Sequence, residues 1–218
     1  TLATILKQRL AFYRNVAIIN EDMLKIDPAV LLETQKVKFP PEVNLTGYKV
    51  VANLPYYITS PVLRHFLEAS TKPKTMVVMV QKEVAEEVTA KPGRLSLLSI
   101  SVQLYGKPTL IAHVPAQSFY PVPSVDSAIL RIEVYPQPAA AIADTESFFR
   151  VVRAGFSAAR KQIGNSLAQG LDLPKSEALS LLTKASINTQ RRAETLTIEE
   201  WARLWEVFTG GILPQVSF

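Results

Sequence analysis

The chain has no cysteine. That excludes disulfides and thiolate metal sites, and it suits a reducing compartment. Histidine is scarce: His65 and His113 are the only two. One falls in a predicted helix and the other in a predicted strand, so both read as structural and no metal is expected. Eight glycines are present, but G-x-G-x-x-G occurs nowhere and the one adjacent pair, Gly210-Gly211, lies near the carboxyl end. A dinucleotide-type phosphate loop is therefore not encoded in these residues. No apolar run is long enough to cross a membrane, and no secretory signal is visible.

What is present is ample apolar material. Hydrophobic residues make up 48% of the 218, enough for one large core and a smaller one. The net charge is +5, unevenly spread. Residues 150–192 hold eight Lys/Arg against Asp172 and Glu177, so that segment carries +6 and the remainder −1. A basic block on a near-neutral body suits a polyanionic partner, although a solvated helix face is the commoner meaning of a charge run.

The chain is organised around Val50-Val51-Ala52-Asn53-Leu54-Pro55-Tyr56-Tyr57-Ile58-Thr59. Lys49 to Ala52 reads as a short apolar strand. A loop follows, then a helix with Pro61 in its first turn and Thr59 or Ser60 as its cap. Open α/β sheets place active sites at such carboxyl ends of strands. The loop carries the chemistry needed to activate an adenine amine. The N6 lone pair is delocalised into the ring. Two acceptors on its hydrogens would turn that lone pair toward an electrophile. The Asn53 side chain offers one acceptor and the Leu54 carbonyl a second, on a turn stiffened by Pro55. Tyr56 can stack on a flipped base. A strand followed by a turn with packed tyrosines fits the same residues equally well.

Before this stretch, Thr1 to Phe12 reads as an amphipathic helix with Leu2, Ile5, Leu6 and Leu10 apolar. Asn15 to Ile19 reads as a strand, with Asp22 and Met23 just past its end. Residues 27–47 read as a polar, Pro-containing connection with one helical turn. After it, Thr75 to Val80 reads as a strand of the buried parallel type. A helix is expected at 81–89, an exposed basic turn at Lys91-Pro92-Gly93-Arg94, and strands at 109–114 and 128–135. Ser96 to Gln103 is ambiguous. Between the last two strands, Pro121 and Pro123 hold the backbone extended and present Phe119 rigidly. A Pro/Ala-rich connection over 136–145 marks a domain boundary. Four helices follow, at 146–156, 162–168, 175–185 and 198–208.

Several of these stretches resemble one family. Asn53-Leu54-Pro55-Tyr56 is similar to motif IV of amino-group methyltransferases that use S-adenosylmethionine. Phe119-Tyr120-Pro121-Val122-Pro123-Ser124-Val125-Asp126-Ser127 meets every fixed position of a Phe-x-Pro-x-Pro-x-Val-Asp-Ser signature. Phe156 to Lys161 with Asn165-Ser166-Leu167 is similar to Phe-Ser-x-x-Arg-Lys…Asn-Ser-Leu, and Arg192-Ala193-Glu194-Thr195-Leu196 to Arg-Ala-Glu-x-Leu. Together they resemble the small-subunit ribosomal RNA adenine N6,N6-dimethyltransferases, over nearly the whole chain.

The resemblance implies an α/β fold: a Rossmann-like class I methyltransferase sheet at 1–137, a linker at 138–146 and a helical RNA-binding domain at 147–218. It places a crossover helix at 96–103. It implies that Asn53, Leu54, Pro55 and Tyr56 position the reacting amine. Tyr56 and Phe119 stack on the substrate adenine from opposite sides. Asp22, Met23 and Asn53 hold the cofactor. Arg153, Arg160, Lys161, Arg191 and Arg192 meet RNA phosphates. The implied reaction methylates two adjacent adenines of small-subunit ribosomal RNA. It works by orientation without a general base, the N6 proton leaving to water. The implied partners are ribosomal RNA and the small ribosomal subunit, met by a monomer in the cytoplasm, with no membrane or metal. Two rivals are a large-subunit RNA adenine methyltransferase and a non-catalytic assembly factor of the same fold.

One departure from the family pattern is plain. Its glycine-rich cofactor loop, the ribose-gripping acid and two strands with their helices have no counterpart here, and they need on the order of 50 residues. The expectation is that an amino-terminal piece is missing, that the sheet lacks its first strands, and that the chain as written binds no cofactor normally and is inactive.

Overall fold

The computed structural model of the chain describes residues 1–36, 47–158 and 160–210. Four strands, β1 (Lys49–Asn53), β2 (Thr75–Gln81), β3 (Gly106–Val114) and β4 (Ser127–Val134), pair in one sheet in the order β1-β2-β4-β3. The β-branched runs Val50-Val51 and Val77-Val78 favour this pleated geometry. β1 and β2 run parallel, while β4 runs antiparallel to both its neighbours. The mixed sheet agrees with the expected α/β class.

Register decides which face is the core. One row across the sheet is Val50, Met76 and Ile132, all buried. The next row is Val51, Val77, Arg131 and Thr109, and there Val51 is 80% exposed. β2 therefore alternates between full and partial burial, which corrects the expectation of a strand buried on both sides. Its apolar run reflects β propensity, and only one of its faces is fully covered.

The helices over the buried face are α3 (Thr59–Leu67), α4 (Lys82–Val88) and α5 (Leu97–Gln103). The segment that was ambiguous by pattern is indeed helical. Ser96 and Ser99 form a reciprocal capping box at its start, satisfying amides that a strand would leave to a partner.

Upstream, α1 (Leu2–Arg9) buries no residue, and α2 (Pro28–Lys36) is longer than the single turn expected. The rest of that connection, 37–46, lies outside the described residues. Residues 15–19 form no strand, contrary to expectation, and Val16 and Ile19 are exposed. The physical reason is pairing: an apolar extended segment is a strand only with a ladder partner, and among the described residues none flanks it.

Beyond β4 the chain is helical: α6 (Thr145–Phe156), α7 (Ile163–Leu171), α8 (Lys175–Lys184) and α9 (Ile198–Phe208). Asp144 caps α6 by accepting from the Glu146 and Ser147 amides at 3.0 and 3.2 Å. The Ser147 amide chiefly holds its carboxyl below the usual range. α6 and α7 touch through small residues. A Cβ on Gly170 would lie 2.4 Å from Ala154 Cα. Likewise a Cβ on Gly155 would lie 2.2 Å from Trp201 Cη2. Trp201 is fully buried and stacks on Phe156, with ring centroids 5.7 Å apart.

The buried side chains of sheet and helices form one continuous core, from Val50 to Trp205. Polar links reinforce it. Trp205 Nε1 donates to Ser147 Oγ (2.7 Å), and the Ala139 amide donates to the Leu104 carbonyl (2.8 Å). The amides of Gly93 and Leu95 both donate to the Glu194 carbonyl (2.8 and 3.1 Å), fastening the basic turn to the helical part.

Candidate active site

β1 ends at Asn53, opposite Met79 of β2. Leu54 then turns inward, 3% exposed, and its amide donates to the Met79 carbonyl at 3.3 Å. That anchor fixes the loop. Pro55 opens a 3-10 turn, Tyr56–Ile58, closed by the Ile58 amide on the Pro55 carbonyl (3.1 Å). The turn runs straight into α3, so the expected side-chain cap at Thr59 or Ser60 is absent. The Thr59 amide instead donates to the Tyr56 carbonyl, and Thr59 is the first helical residue. Its hydroxyl is buried without a hydrogen-bond partner among the described residues.

The second loop arrives at the same rim because β4 runs backwards. Its first residue, Ser127, sits beside Gln81 at the carboxyl end of β2. The residues before Ser127 are thereby delivered next to Asn53. Asp126 closes this loop twice: Oδ1 accepts from the Ala116 amide (2.9 Å), and its carbonyl accepts from the Lys82 amide (3.0 Å). The Phe119 amide donates to the Ala116 carbonyl (3.1 Å), ending a 3-10 turn. Tyr56 Oη and the buried Ser127 Oγ lie 2.6 Å apart in a hydrogen bond joining the two loops. The signature's Val-Asp-Ser therefore builds the site, a role that sequence reading left unassigned.

Between the loops lies an open cleft of about 350 Å3, lined by Asn53, Leu54, Pro55, Tyr56, Phe119, Tyr120, Pro121 and Pro123. Such volumes are typical of small-molecule sites. Among the described residues neither the Asn53 side chain nor the Leu54 carbonyl has a hydrogen-bond partner. Both residues line the cleft together with Tyr56 and Phe119.

Asp22 and Met23 do not line this cleft. Asp22 caps a 3-10 turn, Met23–Lys25, through a bond from the Leu24 amide to Oδ1 (3.1 Å). Its Oδ2 makes only a loose 4.0 Å pairing with Lys25. The segment is tied to α3 by a 2.9 Å hydrogen bond between His65 Nε2 and the Ile26 carbonyl, which gives His65 a structural role.

The basic residues divide into two kinds. Arg160 and Lys161 are exposed and unpaired among the described residues. Arg153 is exposed beside a recess lined also by Arg64, Glu68 and Tyr105, and Arg192 lies 3.8 Å from Glu194. Arg191 is the exception to the expected outward face. Its guanidinium makes a two-pronged contact with Glu200 (2.5 and 3.0 Å) and also bonds to Thr195. Burial pushes the Glu200 carboxyl up, but hydrogen bonds from Arg191 and the Thr197 amide outweigh it and hold the group below its ordinary range. The Thr197-x-x-Glu200 capping box was a legible signal for this arrangement.

Residues 1–209 match the family described as ribosomal RNA adenine dimethylase. Over 209 residues the chain is 49% identical to the ribosomal RNA small subunit methyltransferase A of Dehalococcoides mccartyi, covering 95% of this chain and 68% of that protein. It is 41% identical to the protein of the same name from Alkaliphilus oremlandii, over 94% of this chain and 70% of the relative. Among solved structures it resembles the 23S rRNA methyltransferase ErmE, with a TM-score of 0.65 and 28% identity, over 95% of this chain and 78% of that one. A dimethyladenosine transferase from Plasmodium falciparum shares the fold, with a TM-score of 0.75 and 22% identity over 96% and 79%.

Proposed function

The chain belongs to the ribosomal RNA adenine dimethylase family, and from that premise we propose that it transfers methyl groups from S-adenosylmethionine to N6 of two adjacent adenines in small-subunit ribosomal RNA. The observation that carries this reading is the cleft itself. Asn53, the Leu54 carbonyl, Tyr56 and Phe119 converge there from two loops far apart in sequence. The small subunit is favoured over the large by identity, 49% against 28%. The protein works as a monomer in the cytoplasm. Residues 1–137 carry the chemistry and residues 147–218 grip the RNA.

Asp22, Met23 and Asn53 would hold the cofactor. The carboxylate of Asp22 fits an exocyclic amine, because its Oδ2 takes no hydrogen bond among the described residues. When bound, the cofactor supplies an electrophilic methyl on a sulfonium. The protein's own part is orientation. Tyr56 and Phe119 clamp the flipped base. Asn53 Oδ1 and the Leu54 carbonyl each accept one N6 hydrogen, which aims the nitrogen lone pair outward from the ring. No base is needed, since N6 becomes acidic as its new bond forms and the proton passes to water. The Ser127 hydrogen bond holds the Tyr56 ring in register with Phe119.

Methyl incorporation at adenine N6 of small-subunit ribosomal RNA, followed with labelled cofactor in a protein that carries the family's glycine-rich cofactor loop, tests the reading. Phe119→Ala is expected to weaken RNA engagement about 5- to 150-fold, the span seen when a base-stacking aromatic is removed, while Phe119→Trp retains most of it. Equal activity for both variants would remove Phe119 from the site.

The basic block makes its own prediction, independent of cofactor. Binding of ribosomal RNA should weaken with salt at a slope of roughly 0.7–0.9 per phosphate contacted. Reversing Arg160 and Lys161 together to Glu should lower affinity and flatten that slope by about two contacts. An unchanged slope would return Arg160 and Lys161 to ordinary solvated surface.

A further inference from the structure

Tyr120 is fully exposed, at 101%, and it lines the cleft. A single exposed apolar side chain needs no explanation. This one has company. It directly follows the half-buried Phe119, and Pro121, Val122 (61% exposed) and Pro123 continue an apolar lip beyond it. The backbone beneath is fixed by the Asp126 bond to the Ala116 amide and by Phe119 on the Ala116 carbonyl. The Tyr120 hydroxyl has no partner among the described residues. Both faces of the ring are therefore open, on a loop already held in place. A tyrosine so placed is a low-entropy contact, with only two torsions to freeze.

We infer that Tyr120 is a second stacking position, outside the adenine cleft, for the base of the nucleotide next to the target. The inference rests on the base-holding reading of the cleft given above. Its chemistry follows from the gradation along the loop. Phe119 is half-buried and faces a base drawn in from the strand. Tyr120, one residue outward, meets whatever remains in the strand. A single-stranded RNA presents a π face at every nucleotide, and successive aromatics form a platform that tolerates any sequence. Holding the neighbour in this way keeps the strand splayed while the inner base is engaged. It also favours substrates whose neighbour is free to unstack. Tyr57 is a useful contrast. It is 86% exposed and follows Tyr56 in sequence, yet it does not line the cleft.

The test is a binding cycle between protein and RNA that needs no cofactor. Short single-stranded RNAs carry the target adenine with its neighbour either intact or abasic, on the 5′ or the 3′ side. For the wild-type chain, loss of the neighbouring base on one side should weaken binding about 5- to 150-fold. Tyr120→Ala should bind both RNAs alike, at the affinity of wild type for the abasic one, while Tyr120→Trp and Tyr57→Ala keep the discrimination. If Tyr120→Ala still discriminates by the wild-type factor, the inference is overturned. A self-association abolished by Tyr120→Ala would assign the ring to an interface between copies and also overturn it. An abasic target position tests the cleft separately. If that change costs nothing and Phe119→Ala changes nothing, the base-holding reading itself fails.

Discussion

Replacing Asn53 by alanine, in a protein that carries the family's glycine-rich cofactor loop, is expected to lower the single-turnover rate of methyl transfer by about 10² to 10³, with RNA affinity nearly unchanged. Removing one well-placed polar group at a reacting centre has effects of that size. The split between rate and affinity follows from geometry. Asn53 is exposed at the end of β1 and its side chain bonds to no other described residue. Its loss leaves the Leu54 anchor, the Tyr56–Ser127 bond and the Phe119 loop in place. The base still enters, but one N6 hydrogen points at nothing and the lone pair is no longer aimed. Asn53→Asp, which keeps an acceptor at the same place, should recover part of the rate. A near wild-type single-turnover rate for the alanine variant would make Asn53 a structural residue.

The second large effect lies far from the cleft. Trp201→Ala should destabilise the protein by about 3–5 kcal/mol in denaturant unfolding, the range for losing a buried aromatic. That is a large share of the roughly 5–15 kcal/mol that a domain has in total. Trp201 is fully buried, stacks on Phe156 and lies close over Gly155, so its removal opens a void that helices cannot easily close. Trp201→Phe should cost much less. Its ring keeps the stacking contact, and the Trp201 Nε1 it deletes is buried without a hydrogen-bond partner among the described residues. Equal losses for the two variants would show that the void is not the cause.

The residues that line the cleft stood out in the sequence by their type alone. Asn53, Pro55, Tyr56, Phe119 and the two prolines each answer a chemical demand that the residue type itself states: an acceptor, a fixed turn, a flat ring. Their meeting in one cleft was not legible from spacing. It depends on β4 entering the sheet antiparallel, which joins Tyr56 to a serine 71 residues away. The apolar stretch at 15–19 misled because propensity belongs to a segment while a strand belongs to a pair. The run at 75–80 misled because apolar residues do not say which face has a cover. Arg191 resembled its basic neighbours until α9 supplied Glu200 beside it.

Because one unbroken core joins the cleft to α6 and α7, between which Arg160 and Lys161 lie, an RNA that reaches both places does not bind them as separate events. Once either contact forms, the other meets its partner at an effective concentration fixed by the frame rather than by the solution. Two modest grips then behave as one strong one, but only for an RNA whose own fold spans the distance between them. Salt weakens the phosphate half alone. Raising it should therefore empty the cleft of ribosomal RNA while leaving the cleft's affinity for a short oligonucleotide almost untouched.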